Sequence, residues 1–189
     1  VVRSRGLGDV YKRQEYTWLR SLMKRHKDFW QVTEDSLDKS MKAYEIDSSM
    51  RNELLDLYKT LLTFKEVPEV LKSLKEKNYK LAILSNGTPF LLNELVKSNN
   101  LENIFDDIFS IEEVGVYKPD SKVYDLPIKQ YQIRTNEVAF LSANTWDVSG
   151  GGNYGYNSIW VNRSNNTFDN LDYVPKHQIK DLSKLLDIL

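Results

Sequence analysis

Ser142, Asn144 and Asp147 lie in the run Phe140–Leu141–Ser142–Ala143–Asn144–Thr145–Trp146–Asp147, just past the short apolar stretch that starts at Val138. Two more polar clusters follow apolar runs in the same way. Ser85–Asn86–Gly87 closes Leu81 to Leu84, and Tyr117–Lys118–Pro119–Asp120 comes soon after Ile108 to Ile111. In an open α/β sheet, ligands bind outside the carboxyl ends of the strands, so three polar clusters at three strand exits make a candidate site. The residue types suit anionic chemistry. A lysine at such an exit stabilises a carboxylate nucleophile or an oxyanion, and Pro119 after Lys118 holds that lysine in an extended loop. Each residue also has a plain structural role: a turn for Ser85–Gly87, a helix cap for Asp147, a solvated surface position for Lys118. The combination, in this order, is more specific than its parts.

The elements that must position these groups alternate. Residues 65–189 read as helix and strand in turn: a helix over Val67 to about Asn78 and a buried strand at Leu81 to Leu84. A helix then restarts at Thr88–Pro89 with proline in its first turn. Further strands are expected at Ile108 to Ile111, Val138 to Leu141 and Ile159 to Val161. A helix is expected around Val123 to Tyr131, and a short amphipathic helix over Asp181 to Leu189. This alternation predicts an α/β fold, a Rossmann-like parallel sheet core with helices on both faces. Residues 15–64 show only helical spacing, through Trp18, Leu19, Leu22, Met23 and Phe29, then Met50, Leu54, Leu57, Tyr58 and Leu61. Thr33 is expected to cap a helix from Glu34, and Asp47 or Ser48 the next. That segment predicts a small all-helical subdomain. Residues 1–14 carry no periodicity and are basic. They resemble a translated sequencing-adapter tail, so a foreign or disordered segment is expected there.

Bulk properties exclude several classes. The 189 residues suit one domain, or a core with a small subdomain. With 26 basic against 27 acidic residues and no basic block, nothing points to nucleic acid. Zero cysteines exclude disulfides, thiolate metal sites and a cysteine nucleophile. No apolar run approaches the ~20 residues that span a bilayer, and no signal-peptide pattern is visible, so no membrane association and a cytoplasmic location are expected.

The order and spacing of five strings resemble the haloacid dehalogenase superfamily, and closely its L-2-haloacid dehalogenases. They are Glu15 to Met23 (EYTWLRSLM), Lys80 to Gly87 (KLAILSNG), Val116 to Asp120 (VYKPD) with Val123–Tyr124, Ser142 to Asp147 (SANTWD), and Trp160 to Arg163 (WVNR). The resemblance runs from Glu15 to the C-terminus. It implies a Rossmann-like core with a helical cap and hydrolytic dehalogenation of (S)-2-haloacids to (R)-2-hydroxyacids through an aspartyl ester. No cofactor and no metal are implied, the partner being the small-molecule haloacid, with homodimers formed through cap helices. Carried over, Ser85 and Asn86 bind the substrate carboxylate or the leaving halide. Lys118 holds the nucleophile's charge, with Tyr124 nearby. Ser142, Asn144 and Asp147 order the carboxylates and the hydrolytic water, and Phe29 and Trp146 wall the alkyl and halogen end.

The rival reading is a magnesium-dependent phosphatase of the same superfamily, whose motif at this strand exit has an acidic pair. Here Ala143 stands where the first acid would be, and Mg²⁺ favours carboxylate ligands. The family's first strand, its nucleophilic Asp and its halide-binding arginine all belong upstream of Glu15. The first core strand is therefore expected to be missing, and Arg13 sits at the wrong offset to replace that arginine. A catalytically dead binding remnant is the third reading. Two lookalikes are set aside. Asp56 to Thr60 imitates the nucleophile motif inside a helical pattern. Gly150, Gly152 and Gly155 match a dinucleotide fingerprint too far from the strand end to cradle a pyrophosphate.

Overall fold

The computed structural model describes the backbone of residues 2–189 and the side chains from Asp9 onward. Two compact units pack within it. The first comprises Val1–Leu62, Ser85–Glu102 and Ser110–Tyr117, the second Thr63–Leu84, Asn103–Phe109 and Lys118–Leu189.

Three helices dominate the first unit: α1 (Val2–Leu22), α2 (Phe29–Ala43) and α3 (Arg51–Leu57). Residues 2–14, expected to be irregular, are the first part of α1, while Val1 lies outside the described residues. Asp9 is buried there and accepts hydrogen bonds from the Ser36 hydroxyl (3.0 Å) and the Tyr58 phenol. Tertiary partners thus hold helix where local sequence carries no signal. Helix α2 starts five residues earlier than Thr33 and Glu34 suggest. Asp28 caps it, accepting from the Gln31 amide at 2.9 Å, and a carboxylate at that end also suits the helix dipole. Thr33 instead lies inside the helix and donates to the Phe29 carbonyl at 2.8 Å. Asp47 caps a 3₁₀ turn, Ser48–Met50, that leads into α3 as expected. Leu37, Met41 and Leu55 form the apolar centre, with Trp30, Ile46 and Leu54 around them.

The alternating region contains α4 (Val67–Glu76), β1 (Ala82–Ser85), α5 (Pro89–Ser98), β2 (Asp107–Ser110), α6 (Ser121–Tyr131), β3 (Ala139–Ser142), α7 (Thr145–Tyr154), β4 (Asn157–Val161) and β5 (His177–Ile179). Thr88 caps α5, accepting from the Leu91 amide, with proline following as the sequence suggests. Strands β3, β4 and β5 pair in parallel, with Leu141 opposite Ile159 and Trp160 opposite Gln178. Strand β1 pairs only with β2, so the five strands form two hydrogen-bonded sets rather than one sheet. No described residue forms a strand ahead of β1.

The run Leu81 to Leu84, expected to be buried, is only partly so. Ala82 is exposed, and Ile83 and Leu84 are half-buried. A strand with a neighbour on one edge alone keeps its other edge open. Leu84 nonetheless packs against the apolar cluster of Tyr124, Phe140 and Tyr156.

Strand β5 has no counterpart in the sequence reading, because His177–Gln178–Ile179 is a short polar edge strand without an apolar run. The C-terminal helix is a 3₁₀ segment, Leu182–Asp187, capped by Asp181 and anchored by buried Leu185. At six residues it is longer than the roughly three or four at which such tight turns usually stop. Among the described residues, no helix is long and apolar enough to cross a membrane.

Candidate active site

Lys118 is 5% exposed, so it is not the solvated surface lysine of the plain reading. Its ammonium lies 3.1 Å from Asp147 Oδ2, and Tyr124 donates its hydroxyl to Asp147 Oδ1 at 2.8 Å. Both carboxylate oxygens are therefore engaged. The ammonium also sits 4.8 Å from the centre of the Phe140 ring, where the ring's negative face attracts a cation.

Local sequence explains the arrangement. Asp147 lies in the first turn of α7, where the helix dipole favours a carboxylate. Asn144, not Asp147, is the residue at the cap position, and its side chain makes no capping bond. Asp120 caps α6 through the Lys122 amide, which puts Tyr124 in the first turns of that helix. Burial pushes the Lys118 ammonium below the ordinary lysine range, while Asp147 opposes the shift. Burial, reinforced by the Asp147 charge, pushes the Tyr124 phenol well above its ordinary value.

Glycine decides how close these groups come. A Cβ on Gly150 would lie 2.5 Å from the Tyr124 hydroxyl oxygen and 2.8 Å from Pro119 Cβ. Gly150 follows Asp147 by three residues, on the same helix face. Gly150 and Gly152 are thus helical close-packing positions, and only Gly155, at φ +116°, serves as a left-handed helix stop. The dinucleotide lookalike has no strand-to-helix turn. Asp56 also proves to be a helical surface residue, paired with Lys59 at 2.7 Å.

The remaining predicted residues of this unit stand at the end of β3 and the start of α7. The Ser142 hydroxyl accepts from the Asn144 amide at 3.2 Å, Asn144 is exposed, and Trp146 is half-buried. The Ala143 carbonyl accepts from the Trp160 indole at 3.3 Å. Among the described residues no three His, Asp or Glu side chains gather as metal ligands.

In the first unit, the Ser85 hydroxyl accepts from the Gly87 amide at 3.0 Å, and Ser110 donates to the Gly87 carbonyl at 2.7 Å. Asn86 is half-buried in the same loop. Phe29 is the first residue of α2, half-buried, with its ring 6.4 Å from that of Tyr117. The Arg13 guanidinium stacks on the Phe29 and Tyr58 rings at 5.0 and 4.9 Å, a neighbour that chain spacing did not reveal.

Burial gives the tyrosines a measurable signature. The Tyr154 phenol is pushed up to about 12 by burial and its bond to Asp125, and the Tyr58 phenol to about 12 by burial and its bond to Asp9. A phenol whose folded pKa is raised binds more protons folded than unfolded once the pH passes about 10. Its stabilising contribution is whole below about 10 and is lost as the pH climbs through about 12. Urea midpoints should therefore fall steadily from pH 10 upward. Absorbance at 295 nm at pH 11 should show fewer phenolates in the folded chain than in urea. Equal phenolate counts would contradict the buried placement.

The buried Lys118–Asp147 pair, steadied by Tyr124, stands at the start of the helix that follows parallel strand β3. The sequence matches the haloacid dehalogenase-like hydrolase family over residues 8–161. The chain belongs to that family, and within it to the (S)-2-haloacid dehalogenase group. It is 37% identical over 179 residues to an (S)-2-haloacid dehalogenase of Pseudomonas sp. (strain YL), covering 94% of this chain and 77% of that one. It is 34% identical to (S)-2-haloacid dehalogenase 4A of Burkholderia cepacia, covering 93% and 77%. In structure it resembles the L-2-haloacid dehalogenase from Xanthobacter autotrophicus with chloropropionic acid covalently bound. The TM-score is 0.89 at 27% identity, with coverage of 96% of this chain and 83% of that one.

Proposed function

We propose that this polypeptide carries the supporting machinery for hydrolytic dehalogenation of (S)-2-haloacids to (R)-2-hydroxyacids. The observation that carries the reading is the buried Lys118–Asp147–Tyr124 knot beside the Ser142–Asn144 loop, with Ala143 where the first acid of a metal-holding pair would stand. In the proposed reaction an aspartate oxygen attacks C2 of the haloacid, the carbon–halogen bond breaks, and halide leaves with inversion. Water then adds to the ester carbonyl, releasing the 2-hydroxyacid and restoring the carboxylate. Lys118 holds the charge of that carboxylate, Asp147 and Tyr124 keep the ammonium in place, and Ser142 and Asn144 orient the water. Ser85 and Asn86 bind the substrate carboxylate or the halide. Phe29 and Trp146 exclude water from the alkyl and halogen end.

The reading assigns residues 15–64 to a helical cap and 65–189 to the core. It takes the nucleophilic Asp as lying upstream of Glu15. The described aspartates nearest to that role are otherwise engaged: Asp9 bonds Ser36 and Tyr58 within a helix, and Asp56 pairs with Lys59 on the surface.

The test is recovery of the upstream reading frame and assay of the joined protein. It should release halide from L-2-chloropropionate in the presence of a metal chelator. Phosphate-ester hydrolysis that requires Mg²⁺, with no halide released, would overturn the reading in favour of a phosphatase.

A further inference from the structure

Glu112 uses its two carboxylate oxygens on two different partners. Oε1 accepts the backbone N–H of Phe29 at 3.0 Å, and Oε2 lies 2.8 Å from His26 Nε2. The Phe29 amide is the first of the donors that a helix leaves unmatched at its start. Asp28 supplies the cap of α2 through the Gln31 amide, so Glu112 is a second anchor from a distant segment. The His26 ring stacks on Tyr117 at 5.3 Å, and the Tyr117 hydroxyl donates to the Lys27 carbonyl at 2.5 Å. The link from α1 to α2 is therefore held at His26, Lys27 and Phe29.

Glu112 itself is fixed. It follows β2 in a 3₁₀ turn, Ile111–Glu113, whose start is capped by Ser110, and the Ser110 hydroxyl donates to the Gly87 carbonyl. A short chain of bonds thus joins the first residue of α2 to the Ser85–Asn86–Gly87 loop within one compact unit.

We infer that Glu112, steadied by His26, is a positioning residue that sets where the Phe29 ring stands relative to the Ser85–Gly87 loop, and so sets the alkyl length of carboxylate accepted. The inference rests on Phe29 being the apolar wall of the proposed site. Loosening the wall should relax discrimination by chain length, because added methylenes are then no longer penalised by fit.

The experiment titrates the full chain with propionate, butyrate and valerate and follows the amide resonances of Asn86 and Phe29 by NMR. Glu112→Ala should change the valerate-to-propionate affinity ratio by roughly threefold or more and speed hydrogen exchange at the Phe29 amide. Glu112→Gln keeps an oxygen for that amide and should restore both. Asp28→Ala removes the ordinary cap of the same helix, at a similar cost in stability, and should leave the ratio unchanged. If Glu112→Ala does not fold, His26→Gln supplies the loosened variant, with a smaller change in the same direction expected. Phe29→Ala separates the two ideas. If the chain binds none of the acids, or Phe29→Ala leaves the ratio unmoved, the wall reading falls and this inference with it. If Phe29→Ala shifts the ratio while Glu112→Ala and His26→Gln do not, or if Asp28→Ala shifts it equally, only the role of Glu112 falls.

Discussion

Lys118→Met should cost about 3–5 kcal/mol of folding stability, the range for removing one member of a buried ion pair. The reason is the partner left behind. Asp147 is 5% exposed, and without the ammonium its charge keeps the Tyr124 hydroxyl and the start of α7 but no cation. Urea unfolding at pH 7 reads the loss directly. Replacing both charges, Lys118→Met with Asp147→Leu, should recover part of it, because no buried charge remains, while the Tyr124 hydroxyl left without its acceptor keeps a cost of about 1–3 kcal/mol. In the joined enzyme both variants should release no halide, so stability and activity separate in the double variant. A single variant as stable as the wild type would show that the pair is solvated, and the site reading would lose its central observation.

Gly150→Ala should lower stability and activity together, although it adds only a methyl group. That methyl would stand 2.5 Å from the Tyr124 hydroxyl and 2.8 Å from Pro119 Cβ, distances that real contacts do not reach. Tyr124 cannot retreat freely, since it is fully buried and its ring meets Phe140, Tyr154 and Tyr156. Overpacking of this kind costs about 1–3 kcal/mol, well above the helix-propensity gain of up to about 1 kcal/mol from replacing glycine by alanine. The Tyr124–Asp147 hydrogen bond should break, leaving Lys118 less firmly held. Thermal unfolding and halide release by the joined enzyme should both decline. A more stable Gly150→Ala chain would mean that Tyr124 and α7 stand further apart than described.

Both predictions bear on how much the chain alone could reveal. Lys118, Asp147 and Tyr124 stand in short strings whose order is distinctive, so their membership of one site was legible before any coordinates. The strands β1 to β4 were legible because each is an apolar run that ends in polar residues. The start of α2 was misplaced because Asp28 and Thr33 are both good caps, and only tertiary packing selects between them. Helix over residues 2–14 was missed since it rests on partners distant in the chain, such as Ser36 and Tyr58 for Asp9. Strand β5 was missed because a polar edge strand lacks the alternation that marks half-buried ones.

The division follows from what each level encodes. Residue types and local spacing, which act over a few bonds, determined the family, the hydrolase class and the candidate polar groups. Tertiary structure alone decided that Lys118 is buried against both Asp147 and the Phe140 ring, that Gly150 is the clearance for Tyr124, and that Glu112 anchors the first amide of α2. Those facts depend on approach between segments 22 to 83 residues apart, and no local pattern carries the distance at which two folded segments meet.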